Sequence, residues 1–166
     1  MSLSKLIVMG VSGCGKSTLG AAIAAKLGLV FLDGDTLHPA ENIVKMEAGQ
    51  PLNDADRTPW LATVGTRLAA PGGQVIACSA LKRSYRDMIR AAAPRAVFVH
   101  VHGSRDMLLS RMSSRIGHFM PAALLDSQLS TLEMPAADER AVRVDLALSP
   151  AQQCNSAVAL LGKYTD

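Results

Sequence analysis

The sequence predicts an α/β fold in which a parallel sheet of five strands is covered by helices on both faces. Five short apolar runs alternate with segments of helical pattern, and this alternation is typical of parallel sheets with right-handed crossovers. The chain has 166 residues, a usual length for one domain, and 49% of them are hydrophobic. We therefore expect one domain over residues 1–166 with a small lid at about residues 111–125.

A phosphate-binding loop connects the first predicted strand, residues 6–9, to the first predicted helix, residues 18–27. The pattern G-x-x-x-x-G-K-S lies between them, in the strand-before and helix-after context that such loops require. Glycines let successive backbone N–H groups face phosphate oxygens, and the helix N-terminus adds positive potential. The residues predicted to bind the nucleotide phosphates are Gly10, Val11, Ser12, Gly13, Cys14, Gly15, Lys16, Ser17 and Thr18.

Two carboxylates follow the second predicted strand, residues 29–32. Asp33 and Asp35 would lie at the carboxyl edge of the sheet, where open α/β folds bind ligands. We assign Asp33 and the Ser17 hydroxyl to Mg²⁺ and Asp35 to general base catalysis, although the two aspartates could exchange roles. Lys16 is predicted to neutralise charge on the β- and γ-phosphates. The structural alternative is a polar turn in which Asp35 or Thr36 caps a helix.

The remaining elements follow from apolar spacing and capping residues. Further strands are predicted at residues 74–79, 96–102 and 143–148. Further helices are predicted at residues 38–48, 53–70, 105–112, 121–132 and 150–161, the last capped by Ser149 and ended by Gly162. Trp60, the only tryptophan, is interpreted as a core residue without a chemical role.

Basic side chains follow the third and fourth predicted strands. Residues 80–87 contain Lys82, Arg83 and Arg86, and their place at the carboxyl edge favours an anion site over a solvated helix face. Arg111 and Arg115 lie four residues apart before a glycine-containing break. This arrangement suits a lid that closes over ATP and stabilises charge on the transferred phosphoryl group.

Charge and cysteine content argue against several other functions. The formal net charge is +3, with 17 Lys and Arg against 14 Asp and Glu, so we expect no nonspecific nucleic-acid binding. Cys14, Cys78 and Cys154 are widely spaced and form no C-x-x-C pair, which predicts reduced thiols, with Cys78 buried in the core. We see neither a signal peptide nor an apolar run of about 18 residues, and we expect a cytoplasmic protein without membrane association.

The reaction class follows from motifs that the sequence lacks. A GTPase would carry N-K-x-D and D-x-x-G, and a Walker-type ATPase would have an acidic residue at the end of the third strand, where Cys78-Ser79 stands. A small kinase with a metabolite acceptor remains. The alternatives are another small-molecule kinase, such as a shikimate kinase, and a module that binds ATP without transferring phosphate.

Separated sequence blocks resemble those of the gluconokinases of the small phosphate-loop type, over nearly the whole chain. They are GVSGCGKST at 10–18, DGD at 33–35, LHP at 37–39, DR at 56–57, PWL at 59–61, ACSALKR at 77–83, YRD at 85–87, HFMP at 118–121 and SQ at 127–128. The LHP block and the R-x-P-W block speak against shikimate kinase.

This resemblance implies an ATP-dependent carbohydrate-acid kinase that phosphorylates the 6-hydroxyl of D-gluconate with Mg²⁺, and a homodimer. It also implies a fold like that of nucleoside monophosphate kinases, for which we expect the strand order 2-3-1-4-5. Gluconate is a hydroxyl-rich anion, and Arg57, Lys82, Arg83 and Arg86 are the candidates for its carboxylate. His38 and Gln128 are the candidates for its hydroxyls, beside Asp35.

Overall fold

Five parallel strands form the centre of the structure, a computed structural model that describes residues 3–113 and 122–165. The strands are β1 (Lys5–Met9), β2 (Val30–Asp33), β3 (Gln74–Ala77), β4 (Val97–His102) and β5 (Ala141–Asp145). Their order in the sheet is β2-β3-β1-β4-β5, and every pairing is parallel. The predicted fold class and strand order are confirmed.

Helices connect these strands and cover both faces of the sheet. The α-helices are α1 (Lys16–Leu27), α2 (Ala40–Glu47), α3 (Asp54–Ala69), α4 (Arg83–Ala92), α5 (Arg105–Ser113), α6 (Ala122–Thr131) and α7 (Pro150–Leu161). Short 3₁₀ helices cover Gly34–Leu37 and Gly162–Tyr164. Within the two described ranges, no helix has both the length and the apolar character needed to cross a membrane.

The central strand β1 is buried on both faces and divides the core in two. Leu6 and Val8 pack on the face covered by α1 and α7, whereas Ile7 and Met9 pack on the face covered by α3 and α4. All four side chains are fully buried, which explains why this strand is a continuous apolar run. The three cysteines are buried and none of them forms a disulfide bond, and burial raises the pKa of the Cys78 thiol to about 12.

The fifth strand differs from its prediction. It begins two residues earlier than expected and ends at Asp145 instead of residue 148. A side-chain oxygen of Asp145 accepts a hydrogen bond from the Ala147 N–H at 2.8 Å, and this contact turns the chain out of the sheet. The predicted start of α7 is confirmed, because Ser149 and Gln152 form a capping box there.

Part of the predicted lid, about residues 111–125, lies outside the described residues. This part comprises residues 114–121 and therefore includes Arg115 and the HFMP block. The flanking helices α5 and α6 are described, and an ion pair joins them. Arg105 Nε lies 2.6 Å from an oxygen of Asp126.

A buried ion pair joins α4 to the segment before β5. Arg86 is completely buried, and its Nε and Nη2 donate to the two oxygens of Glu139 at 2.7 and 3.1 Å. Its Nη1 donates to the carbonyls of Ala80 and Leu81 at 3.0 and 3.1 Å. Arg90 donates a further hydrogen bond to Glu139. These contacts hold the turn between β3 and α4, in which Ala80 has a φ of +44°.

This network makes stability depend on pH. Burial alone would raise the pKa of Glu139, but hydrogen bonds from Arg86, the Ala136 N–H and Arg90 outweigh burial and lower the pKa to about 2. The folded-state pKa is therefore below the ordinary value of 4.5. The network contributes its full stability above pH 4.5 and loses it as the pH falls towards about 2.

We predict that Glu139→Gln lowers the free energy of unfolding at pH 7 by about 3 to 5 kcal/mol, because the buried Arg86 charge loses its counterion. Urea unfolding measures this loss. The variant should also lose less stability on acidification than the wild type. The control is Asp138→Asn, which removes an exposed carboxylate paired with Arg83 and should change stability little. Equal losses in the two variants would contradict the prediction.

Candidate active site

Close backbone packing shapes the phosphate loop between β1 and α1. Gly13 has a φ of +82°, and a Cβ atom at this position would lie 2.5 Å from Cγ of Met112 on α5. A Cβ atom on Gly10 would lie 2.8 Å from the Val101 carbonyl oxygen. Side chains at these two positions would therefore displace the loop from its neighbours. Gly15, with a φ of +88°, precedes the first residue of α1.

Hydrogen bonds tie the phosphate loop to its surroundings. The Lys16 ammonium donates to the Val11 carbonyl at 3.1 Å, which holds it across the loop. The Gly10 N–H donates to the carbonyl of Ser79 after β3 at 3.2 Å. The Ser12 N–H donates to Oε1 of Gln128 at 2.7 Å, and Nε2 of Gln128 donates to the Ser12 hydroxyl at 2.9 Å. Gln128 of α6 thus contacts the loop, and its acceptor-binding role stays a prediction.

The turn after β2 brings a carboxylate to the phosphate loop. Oδ2 of Asp33 lies 3.4 Å from the Ser17 hydroxyl, and Oδ1 accepts a hydrogen bond from the Asp35 N–H at 3.0 Å. Asp33 is therefore the cap of the 3₁₀ helix, and the alternative that Asp35 or Thr36 caps a helix here is wrong. Carboxylate and hydroxyl oxygens are ligands that suit Mg²⁺.

The oxygens of Asp33 and Ser17 could supply only part of a metal site. Across residues 3–113 and 122–165, no three His, Cys, Asp or Glu side chains come together as a metal-binding group. Mg²⁺ commonly takes one or two protein ligands and completes its shell with phosphate oxygens and water. The donor set beside the phosphate loop fits that mode of binding.

Trp60 holds the turn that carries the two aspartates. It is 4% exposed, as its predicted core role requires, and its Nε1–H donates to the Gly34 carbonyl at 2.8 Å. The His38 ring stacks on Trp60 with centroids 4.1 Å apart. Burial lowers the pKa of His38, on which the nearby charges of Asp35 and Arg57 act in opposite directions. The apolar residues on either side of Trp60 in the sequence predict burial of this tryptophan and not its role in positioning the turn.

Two cations and a tyrosine hydroxyl converge on the carboxylate of Asp54, the first residue of α3. Lys82 Nζ lies 3.3 Å from one oxygen and 3.4 Å from the second, and the Tyr85 hydroxyl donates to this second oxygen. Arg57 Nη1 lies 3.8 Å from this second oxygen and donates to the Tyr85 hydroxyl at 3.3 Å. We call Arg57, Lys82 and Tyr85 the donor cluster. Hydrogen bonds from Tyr85 and then Lys82 lower the pKa of Asp54.

The structure thus brings together two of the four predicted carboxylate ligands, Arg57 and Lys82. Arg86 is fully buried with its donors bound to Glu139 and to backbone carbonyls, so the prediction that it binds gluconate is wrong. Arg83 does not join the donor cluster, since its two Nη atoms bind Asp138 at 3.0 and 2.7 Å.

Arg111 lies on another side of the phosphate loop. It lines a cavity of about 230 Å³ whose other walls include Gly13, Thr18 and Gln153. Its Nη2 donates to the Leu146 carbonyl at 2.8 Å, directly after β5. The cavity opens next to the N-terminus of α1, as a site for the nucleotide beyond its phosphates would require.

We predict that Trp60→Phe lowers the free energy of unfolding by about 1 to 3 kcal/mol, because the buried Gly34 carbonyl loses its donor. Urea unfolding followed by far-UV circular dichroism measures the change without tryptophan fluorescence. Thr63→Ala is the matched control on α3, since it removes only an exposed hydroxyl bonded to the Pro59 carbonyl. Wild-type stability of Trp60→Phe would show that the hydrogen bond does not hold the turn.

Comparison with known proteins gives consistent matches over most of the chain. The shikimate kinase family model matches residues 12–148. The gluconokinase of Gluconobacter oxydans is 51% identical over 143 residues, which cover 84% of this chain and 80% of that protein. The thermosensitive gluconokinase of Escherichia coli K12 is 44% identical and covers 95% of this chain and 89% of its own length.

A solved structure agrees with these relatives. The crystal structure of a gluconokinase from Sinorhizobium meliloti 1021 has a TM-score of 0.91 and 52% identity, and the match covers 96% of this chain and 92% of that one. The resemblance seen in the sequence motifs is confirmed. The chain belongs to the gluconokinase family, within the kinases that the shikimate kinase model describes.

Proposed function

We propose that this protein transfers the γ-phosphoryl group of ATP to the 6-hydroxyl of D-gluconate, giving 6-phosphogluconate and ADP. One observation carries the proposal. The turn with Asp33 and Asp35 contacts Ser17 of the phosphate loop on one side, and through Trp60 it contacts α3, which carries Arg57, on the other. These contacts support a site in which the two carboxylates lie between the phosphates of ATP and the donor cluster.

In this proposal the phosphate loop and Lys16 bind the phosphates of ATP. Ser17 and Asp33 would hold Mg²⁺, which neutralises phosphate charge when bound. The 6-hydroxyl oxygen bonds to the γ-phosphorus, the β–γ bridging oxygen leaves with ADP, and the hydroxyl proton passes to Asp35. Arg111 and Arg115 stabilise the charge that develops on the transferred group.

The acceptor's carboxylate binds Arg57 and Lys82, and its hydroxyls bind His38. Nδ1 of His38 lies 3.2 Å from Nδ2 of Asn42, whose orientation is set by a hydrogen bond from Nδ2 to the Asp56 carbonyl at 2.9 Å. Nδ1 is therefore an acceptor, and the hydrogen of the neutral ring resides on Nε2. The lowered pKa keeps the ring neutral near pH 7, so His38 can donate one hydrogen bond to a hydroxyl oxygen.

The proposal also covers a lid, the oligomeric state and the cellular location. A lid at about residues 111–125 closes over ATP, and the protein works as a homodimer in the cytoplasm. A lid excludes water from the phosphoryl group during transfer.

The acceptor is tested by measuring ADP release with ATP and Mg²⁺ over D-gluconate, other aldonates, shikimate and a nucleoside monophosphate. We expect turnover with D-gluconate and none with shikimate. Lys16→Met is the control that should abolish turnover with every acceptor, because phosphate charge is no longer neutralised. Turnover on shikimate with gluconate inert would overturn the proposed acceptor and favour the shikimate kinase alternative.

We predict that Asp35→Asn lowers kcat with D-gluconate by about 10²-fold while KM for ATP stays unchanged, because the proton of the acceptor hydroxyl loses its base. Steady-state kinetics with both substrates varied separates the two parameters. Asp87→Asn, which removes an exposed carboxylate of α4, should behave as the wild type. Full turnover by Asp35→Asn would assign the base to another residue.

A further inference from the structure

The carboxylate of Asp54 contacts the donor cluster, which includes the two cations proposed to bind the acceptor's carboxylate. The Lys82 ammonium contacts both of its oxygens, and Tyr85 and Arg57 contact one of them. The cations of Arg57 and Lys82 lie 5.6 and 5.5 Å from the centre of the same Tyr85 ring, and both pair with Asp54. The negative charge of Asp54 therefore offsets the repulsion between them. The protein's own side chain thus demonstrates that this cluster binds carboxylates.

The side chain of Asp54 can move away from the donor cluster without disturbing the start of α3. Its side chain is 63% exposed, and the structure around it does not need it for the start of α3. The capping box of α3 is made by Asn53 and Asp56, each of which accepts a hydrogen bond from the other's backbone N–H. A rotation about the side-chain bonds of Asp54 would place its charge in water beside the helix N-terminus, where a negative charge is favourable.

Other ion pairs near this site are not replaceable in the same way. Asp56 serves both the helix cap and the ion pair with Lys45 at 2.8 Å, which joins α3 to α2. Glu139 is buried with Arg86, and removing it would leave a charge without solvent. Among these carboxylates, Asp54 is the one that pairs with Arg57 and Lys82, the two residues proposed to bind the acceptor's carboxylate. If the Asp54 side chain moved away, both cations would be accessible to a ligand.

We propose that Asp54 is a replaceable counterion, which an anionic acceptor displaces from the donor cluster. This inference rests on the proposed function and adds to it a competing carboxylate within the acceptor site. An acceptor with a carboxylate supplies the charge that Asp54 withdraws. A neutral polyol cannot supply it, so it must either leave Asp54 in place or separate the cations from their counterion. Asp54 thereby competes with the carboxylate of an anionic acceptor and lowers its affinity, whereas a neutral acceptor that leaves Asp54 in place meets no such competition.

The test is Asp54→Asn, which keeps the shape of the side chain and removes its charge. We expect KM for D-gluconate to fall about two- to fivefold, the range for an exposed ion pair, with kcat and KM for ATP unchanged. D-gluconamide, a neutral analogue, should show a smaller fall or none. Asp87→Asn removes a similarly exposed, arginine-paired carboxylate on α4 and should leave all three parameters unchanged.

A second variant and a direct measurement test whether the fall in KM comes from the lost charge of Asp54. Asp54→Ser also removes the carboxylate and is compatible with the first turn of a helix, so KM for gluconate should fall with it as well. In the wild type, saturating D-gluconate should raise the pKa of Asp54 towards its ordinary value, because the bonds from Tyr85 and Lys82 are lost. Carbon-detected NMR titration of the side-chain carboxyl measures this shift.

The outcomes separate this inference from the function on which it rests. If the wild type phosphorylates gluconate and KM in Asp54→Asn is unchanged or higher, Asp54 is not a competitor, and the inference is overturned while the function stands. An unshifted Asp54 pKa under saturating gluconate overturns it equally. If the wild type does not phosphorylate gluconate at all, the proposed function itself is wrong.

Discussion

The ion pair between Arg86 and Glu139 is the contact on which the acceptor side of the molecule depends. Through its bonds to the Ala80 and Leu81 carbonyls, Arg86 holds a turn that contains a residue at positive φ. The residue before this turn, Ser79, accepts the hydrogen bond from Gly10 that ties down the phosphate loop, and Lys82 of the donor cluster follows it. An apolar pair of equal volume could fill the space but could not satisfy those carbonyls.

Most of the fold could be predicted because its strands are buried on both faces. Such strands are short apolar runs, and the glycines of the phosphate loop mark where the first one ends. The same criterion failed at β5, since the apolar Leu146, Ala147 and Leu148 continue the run after the strand has ended. There a single hydrogen bond from the Ala147 N–H to Asp145 decides the boundary, and apolar patterning does not reveal it.

The candidate site could be predicted in part. Ser17, Asp33 and the phosphate loop follow from local spacing and from the rule that ligands bind at the carboxyl edge of a parallel sheet. The prediction that Arg86 binds the acceptor is wrong because its partner Glu139 lies 53 residues further along the chain. No local pattern therefore distinguishes this buried cation from an exposed one. Asp54 gave no signal for a similar reason, since an acidic residue at the start of a helix is usual for structural reasons alone.

Burial decides what each cation of this region can do. Arg86 and Glu139 have side chains 0% and 1% exposed, so a ligand could replace Glu139 only by leaving an ion without solvent at a cost of several kcal/mol. Lys82 and Asp54 are 35% and 63% exposed, and water can solvate either partner when the pair separates. Lys82 and Arg86 are only four positions apart in the sequence, yet solvent could support an exchange of the counterion for a ligand at Lys82 and could not at Arg86. In a basic cluster of a sequence, the depth of each ion pair in the fold therefore distinguishes the cations that could bind a ligand from those that are structural.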